Sequence, residues 1–402
     1  MFSLKKTLAG VLSCTMLLGS LVISGCSDSN TSGTQSADNT SNGSSTAHQG
    51  EIKDISSVEL VKDMKIGWSL GNTLDGGNEI NRGQAPGAIE KSWGNPDTTK
   101  EMIDEIKKAG FNVLRVPTTW DWSTGEAPEY KISDEWFARV KEIVDYGMEN
   151  DMYVILNMHH ETWHYPTEDN YEAASDRLKK VWTQIGNYFE NYDEHLIFEG
   201  LNEPRVIGSD EEWTGGSDAT REVVNKLDAD FVSTIRSLGG NNKLRHLMIP
   251  GYAASSSEVA LKALKIPEND DKLIVSVHAY IPYNFALSDN KRSNKWVACK
   301  EGFTSDIDNL ADMRAEWAKY YVTKMKTIGV PCVWWDNDAF LGSGELFGLF
   351  DRRNLEWRYP LLKDALISAS NGEYTVDGLK SDTAILDELK MDIAQSKNSS
   401  AE

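Results

Sequence analysis

The chain has 402 residues, with 40% hydrophobic and 26% charged side chains. This is enough for one large packed domain and excludes wholesale disorder. Basic residues number 41 against 62 acidic ones, a net charge of -21. The balance argues against nucleic-acid binding, which needs a basic face, and against adsorption to anionic lipid by charge. Four cysteines are too few for a disulfide scaffold.

Residues 1–25 read as an export signal: Lys5 and Lys6 precede a loose apolar run from about Leu8 to Ile23, too short for a membrane span. The run ends in Ile23-Ser24-Gly25-Cys26, which resembles a bacterial lipobox, so Cys26 is the expected lipidation site and the only membrane link. The alternative is an ordinary secretory signal. Residues 26–50 follow as a linker: 17 of the 24 residues from Ser27 to Gly50 are Ser, Thr, Asn or Gly, which cannot bury enough surface to fold.

From residue 51 to about 370, short apolar runs alternate with amphipathic stretches. The spacing predicts strands over Met64–Leu70, Asn112–Val116, Tyr153–Met158, Leu196–Gly200, Arg245–Pro250, Leu273–Val277 and Val330–Trp335. Helices are expected over Thr98–Ala109, Asp134–Asn150 and Asn309–Ile328, and residues 371–402 read as an appendage. Strand and helix in alternation mean a parallel sheet under covering helices. Cys299 and Cys332 can pair or stay free; spacing does not decide.

Polar and aromatic residues collect just after these strands: Asn72 and Asp75; Arg115, Trp120 and Trp122; His159, His160 and Trp163; Asn202 and Glu203; His278 and Tyr280; Trp335, Asp336 and Asn337. In a (β/α) barrel the C-terminal strand ends form the active-site face, so the pattern reads as one site. Glu203, between Asn202 and Pro204 at a strand end, suits general acid/base work, with burial expected to raise its pKa. Trp and Tyr rings would stack on sugar faces. His160-Glu161-Thr162-Trp163-His164 matches the zinc-protease pattern, giving a zinc hydrolase through His160 and His164 as a remote alternative. A strand precedes it and Pro166 follows, so the helix that motif needs is not expected.

The runs Gly67–Asp75, Phe111–Pro117, Asn157–Glu161, Leu201–Pro204, Val277–Tyr280 and Cys332–Asn337, in this order, resemble family 5 glycoside hydrolases, nearest the bacterial endo-β-1,4-glucanases. The resemblance implies an α/β fold, the (β/α)8 TIM barrel, and retaining cleavage of β-glycosidic bonds by two glutamates without metal or cofactor. It implies Glu203 as acid/base, with Asn72, Arg115, His159, His160, Asn202, His278, Tyr280 and Trp335 as substrate contacts. The implied partner is a β-linked polysaccharide or oligosaccharide, met by a monomer, with preference set around Trp93, Trp120, Trp163 and Trp213.

One element departs from the pattern. The family nucleophile is a Glu ending the seventh strand, and no such run stands here. About fifty residues separate the strand before His278 from the one ending at Trp335, room for one βα unit but tight for two. Seven strands are found where a closed barrel needs eight, so strand seven and its Glu are missing. Retention needs a second carboxylate about 5–5.5 Å from the first. Glu301, in a polar loop, and Glu316, on a helix, are weak substitutes. Three readings follow: a cell-surface glucanase by descent, a catalytically impaired glycan-binding relative, and the zinc hydrolase.

Overall fold

The computed structural model describes residues 48–280, 307–341 and 345–379. The signal, Cys26 and most of the linker lie outside these residues, as do Cys299, Glu301 and residues 380–402. No helix among the described residues is long and apolar enough to cross a membrane.

Seven parallel strands form one sheet: β1 (Ile66–Leu70), β2 (Val113–Val116), β3 (Tyr153–Asn157), β4 (Leu196–Glu199), β5 (Leu247–Ser255), β6 (Leu273–His278) and β7 (Cys332–Asp336). All seven expected strands are present. Their order is β6-β5-β4-β3-β2-β1-β7, so β1, first in sequence, lies inside the sheet and pairs with both β2 and β7. From β1 to β6, strands successive in sequence lie side by side, the arrangement βαβ crossovers produce. β6 and β7 are the two ends and do not pair with each other among the described residues. The sheet curls as part of a barrel. A barrel one strand short of eight cannot close in the usual register.

The helices are α1 (Ser57–Asp63), α2 (Pro86–Glu90), α3 (Lys100–Ala109), α4 (Asp134–Glu149), α5 (Tyr171–Tyr188), α6 (Asp218–Ser237), α7 (Glu258–Ala263), α8 (Ile307–Thr327) and α9 (Pro360–Asn371). Gly110 ends α3 in a left-handed conformation, φ 112°, which is why that helix stops there. Ser133 caps α4 by accepting a bond from the Trp136 N–H.

Side chains alternate along each strand. One set, including Trp68, Leu114, Val154, Leu156, Phe198 and Leu247, packs outward with the helices into the main core. The other points into the barrel, where Val113, Ile155 and Ile197 meet Ile274 and Val333, with Leu60 and Met64 of the α1 segment plugging the bottom. Above this apolar layer the inward positions turn polar, and there the site begins.

β1 to β4 are buried throughout, whereas β6 and β7 are mostly half-buried. Val277, pointing to the layer where a covering helix would sit, is 43% exposed. Between β6 and β7 the described residues contain a single helix, α8, which packs on α9.

Candidate active site

Arg115 on β2 and Glu199 on β4 form the floor. Arg115 Nε donates to Glu199 Oε2 at 2.8 Å, and Nη2 donates to Asn202 Oδ1 at 2.8 Å. Ser276 on β6 donates to the other Glu199 oxygen at 2.6 Å. Arg115 and Glu199 are buried, so the ion pair is satisfied from both sides and fixes the Asn202 amide.

Asn202 and Glu203 follow β4. Glu203 Oε1 lies 2.7 Å from His278 Nδ1, brought up by the end of β6. Its Oε2 accepts from Arg205 Nη1 at 3.4 Å, and Arg205 also donates to the Glu203 carbonyl at 3.0 Å. Burial pushes the Glu203 carboxyl up, but the His278 hydrogen bond and the charges of His278, Arg205 and His160 outweigh it and leave the pKa below the ordinary value. This corrects the expected upward shift: the sequence reading weighed burial and left out Arg205.

His159 and His160 leave β3 together, their rings 4.4 Å apart edge to face. Asn157 Nδ2 donates to His159 Nδ1 at 3.0 Å, so the neutral ring carries its proton on Nε2. Burial holds His159 well below its usual pKa, and neutral. Trp335, at the end of β7, stacks on His159 at 5.6 Å with planes 2° apart. Its indole N–H is buried with no hydrogen-bond partner among the described residues. Asn72 sits left-handed at φ 57° in the turn after β1, where Asp75 accepts the backbone N–H groups of Asn72 and Thr73 at 3.0 and 2.7 Å. Asn residues tolerate that conformation. Tyr280 lies 5.7 Å from the Phe347 ring; burial, Glu203 and Glu345 all raise its pKa, which keeps the hydroxyl a donor. All nine expected site residues thus stand at the C-terminal strand ends.

One expectation fails in detail. Trp120 is fully buried, its indole donating to the Asn157 carbonyl at 2.9 Å, and cannot line a substrate loop. Trp93 and Trp213 are exposed, at 44% and 62%, the former 5.7 Å from His160 and the latter under the Arg205 guanidinium at 4.2 Å. Trp163 is half-buried and donates to Glu161 at 3.0 Å. Glu316 pairs with Lys319 at 2.6 Å on α8 and does not stand in for a nucleophile.

The zinc motif lies on irregular chain after β3. Atoms able to share a cation at His160 come from Asp75 and His159, not from His164. Glu161 accepts from the Trp120 N–H at 2.7 Å and from Trp163, and burial with Asp121 lifts it to about 8. A glutamate held this way packs the loop. Residues missed by sequence reasoning are Glu199, Ser276, Arg205 and Glu345. A Glu at an inward position of a buried parallel strand demands a partner, and that signal would have found Glu199.

A family model for cellulase (glycosyl hydrolase family 5) matches residues 75–340. Endoglucanase B of Neocallimastix patriciarum is 46% identical over 343 residues, covering 79% of this chain and 72% of the relative. Endoglucanase A of Ruminococcus albus is 42% identical, covering 80% and 94%. Among solved structures, a GH5-4 broad specificity endoglucanase from Clostridium longisporum is 41% identical with a TM-score of 0.74, covering 80% of this chain and 100% of that one. A Ruminococcus champanellensis counterpart with bound cellotriose is 40% identical with a TM-score of 0.72, covering 79% and 99%. The chain belongs to glycosyl hydrolase family 5 and is by family a glycosidase. Since 79% of 402 residues is about 318, about 25 of the 343 positions aligned with the Neocallimastix enzyme have no residue here.

Proposed function

We propose that this chain is a cell-surface protein of the endo-β-1,4-glucanase type that recognises β-linked glucan and retains Glu203 as acid/base, but has lost the family nucleophile with its seventh strand. The observation that carries this reading is the open sheet, whose ends β6 and β7 do not pair with each other among the described residues, and the state of Glu203 agrees with it. In a retaining pair the second carboxylate repels the first and keeps it protonated until it is needed. Here burial, the largest influence, pushes the carboxyl up, but the His278 hydrogen bond and the nearby charge of Arg205 outweigh it and hold the carboxyl low. The shortfall of about 25 aligned positions matches one strand of 5–6 residues plus a helix of 11–12 and their loops.

The retaining reaction would run in two steps: attack on the anomeric carbon as Glu203 protonates the leaving oxygen, then attack of water on the glycosyl-enzyme as Glu203 takes a proton. Asn202 and Arg115 suit the sugar hydroxyls beside that carbon. Asn72, His159, His160, His278 and Tyr280 surround it, and Trp335 offers an aromatic wall. Without the nucleophile the first step has no partner, so binding outlasts turnover. The lipobox at Cys26 supports export and anchoring at the cell surface. A monomer is sufficient for the site.

Calorimetric titration of the full chain with cellotetraose tests the reading. Binding is expected in the parent, weakened about three- to tenfold in Trp335→Ala, the worth of one aromatic contact. A folded parent that does not bind would overturn it.

A further inference from the structure

The opposite end of the sheet carries a second constellation. His195 immediately precedes β4 and Asp151 lies just before β3, so both sit at the N-terminal strand ends, across the barrel from Glu203. His48 joins them from the segment that enters the domain. That segment is held in place by Asp193 N–H donating to the His48 carbonyl at 2.9 Å and Gly50 N–H donating to the Asn191 carbonyl at 2.8 Å.

The two imidazoles are oriented from behind by one carboxylate. Asp193 Oδ2 lies 2.9 Å from His48 Nδ1, and Asp193 Oδ1 lies 3.0 Å from His195 Nδ1. Each Nδ1 donates its proton to Asp193, which leaves both Nε2 lone pairs free in the neutral rings. Both Nε2 atoms face the same oxygen: Asp151 Oδ1 is 3.2 Å from His48 Nε2 and 4.0 Å from His195 Nε2. The rings are 4.0 Å apart, and Tyr153 stacks on His195 at 4.7 Å, limiting its rotation. Ligand atoms of His48, Asp151 and His195 all fall within 4.8 Å of one another.

Zinc bonds of about 2.0–2.1 Å in a tetrahedral shell put neighbouring ligand atoms roughly 3.3 Å apart. The His48–Asp151 separation already meets this, and the His195 one is met by a small turn of Asp151, whose side chain is 78% exposed. A ligating imidazole whose other nitrogen is bonded to a carboxylate is the usual second shell of such sites.

We propose that His48 Nε2, His195 Nε2 and a carboxylate oxygen of Asp151 bind a divalent transition ion of the zinc class, with Asp193 as the carboxylate that orients both imidazoles. The fourth position is open to water. The ion ties the entering segment to the loops before β3 and β4 and acts as a structural clamp remote from the sugar site.

The test is titration of the full chain, made without a histidine tag, with Zn2+ alone, followed by calorimetry and by melting temperature. The expected result is one bound ion that raises the melting temperature. Binding weakens at least about tenfold in His48→Ala and Asp151→Asn, and about 10- to 100-fold in Asp193→Asn. Asp151 is exposed, so Asp151→Asn should keep the metal-free melting temperature and separate lost ligation from lost folding. His160→Ala should leave zinc affinity unchanged. Absence of binding would overturn the proposal, as would binding that survives His48→Ala and Asp151→Asn but disappears in His160→Ala, which would place the ion at Asp75, His159 and His160.

Discussion

At Glu203, burial pulls the carboxyl up while the His278 hydrogen bond and nearby positive charge pull it down, and the downward pull wins. At Arg115 the same contest is settled by pairing: its charge is buried but answered by Glu199 and Asn202. Arg115→Ala would leave the buried Glu199 carboxyl with Ser276 as its remaining side-chain partner among the described residues. The expected loss is about 3–5 kcal/mol of stability in a denaturant melt, beyond any effect on sugar binding. Arg115→Lys should recover only part, since an ammonium cannot reproduce the forked bonds to both acceptors. A loss under about 1 kcal/mol for Arg115→Ala would mean the pair is not buried as described. The residues touching the barrel mouth were legible because polar side chains directly after strands have few other reasons to cluster. Arg205 and Glu199 were not, since one lies past the motif and the other hides inside a strand that reads as hydrophobic.

The strands themselves were legible because a parallel strand covered on both sides is a nearly unbroken apolar run. Boundaries shifted where local geometry intervened. β5 continues past Pro250 to Ser255 through an irregular register against β6, with Ala253 and Ala254 left-handed, which no periodicity announces. α1 is one short turn and more, held by the reciprocal Ser56–Glu59 cap rather than by a long amphipathic face, and went unread. The ends of the sheet carry the consequence of the missing element. Among the described residues nothing pairs with the outer edges of β6 and β7, and unpaired edges invite association. Sedimentation velocity over a concentration series should show a monomer giving way to larger species, with Val277→Lys on β6 suppressing them. Concentration-independent sedimentation of the parent would show that both edges are covered.

At the scale of the whole molecule, three quantities agree: seven strands in the sheet among the described residues, about fifty residues between β6 and β7, and about 25 aligned positions without a counterpart. Each fits the removal of one βα unit from a family 5 barrel that otherwise keeps its polar floor, Glu203 and the Trp335 ring. Glu345 is the carboxylate to watch, because it acts on Tyr280 together with Glu203. The most direct measurement is cleavage of dinitrophenyl β-cellobioside by the full chain with and without sodium azide. The dinitrophenolate leaves without a proton, so on the proposed reading only the lack of a nucleophile limits the reaction. We expect negligible turnover alone and clear acceleration by azide, which attacks the anomeric carbon from the face the glutamate would have used and yields the α-glycosyl azide. Rapid turnover without azide, lost in Glu345→Ala, would instead show that a second carboxylate has taken the nucleophile's place.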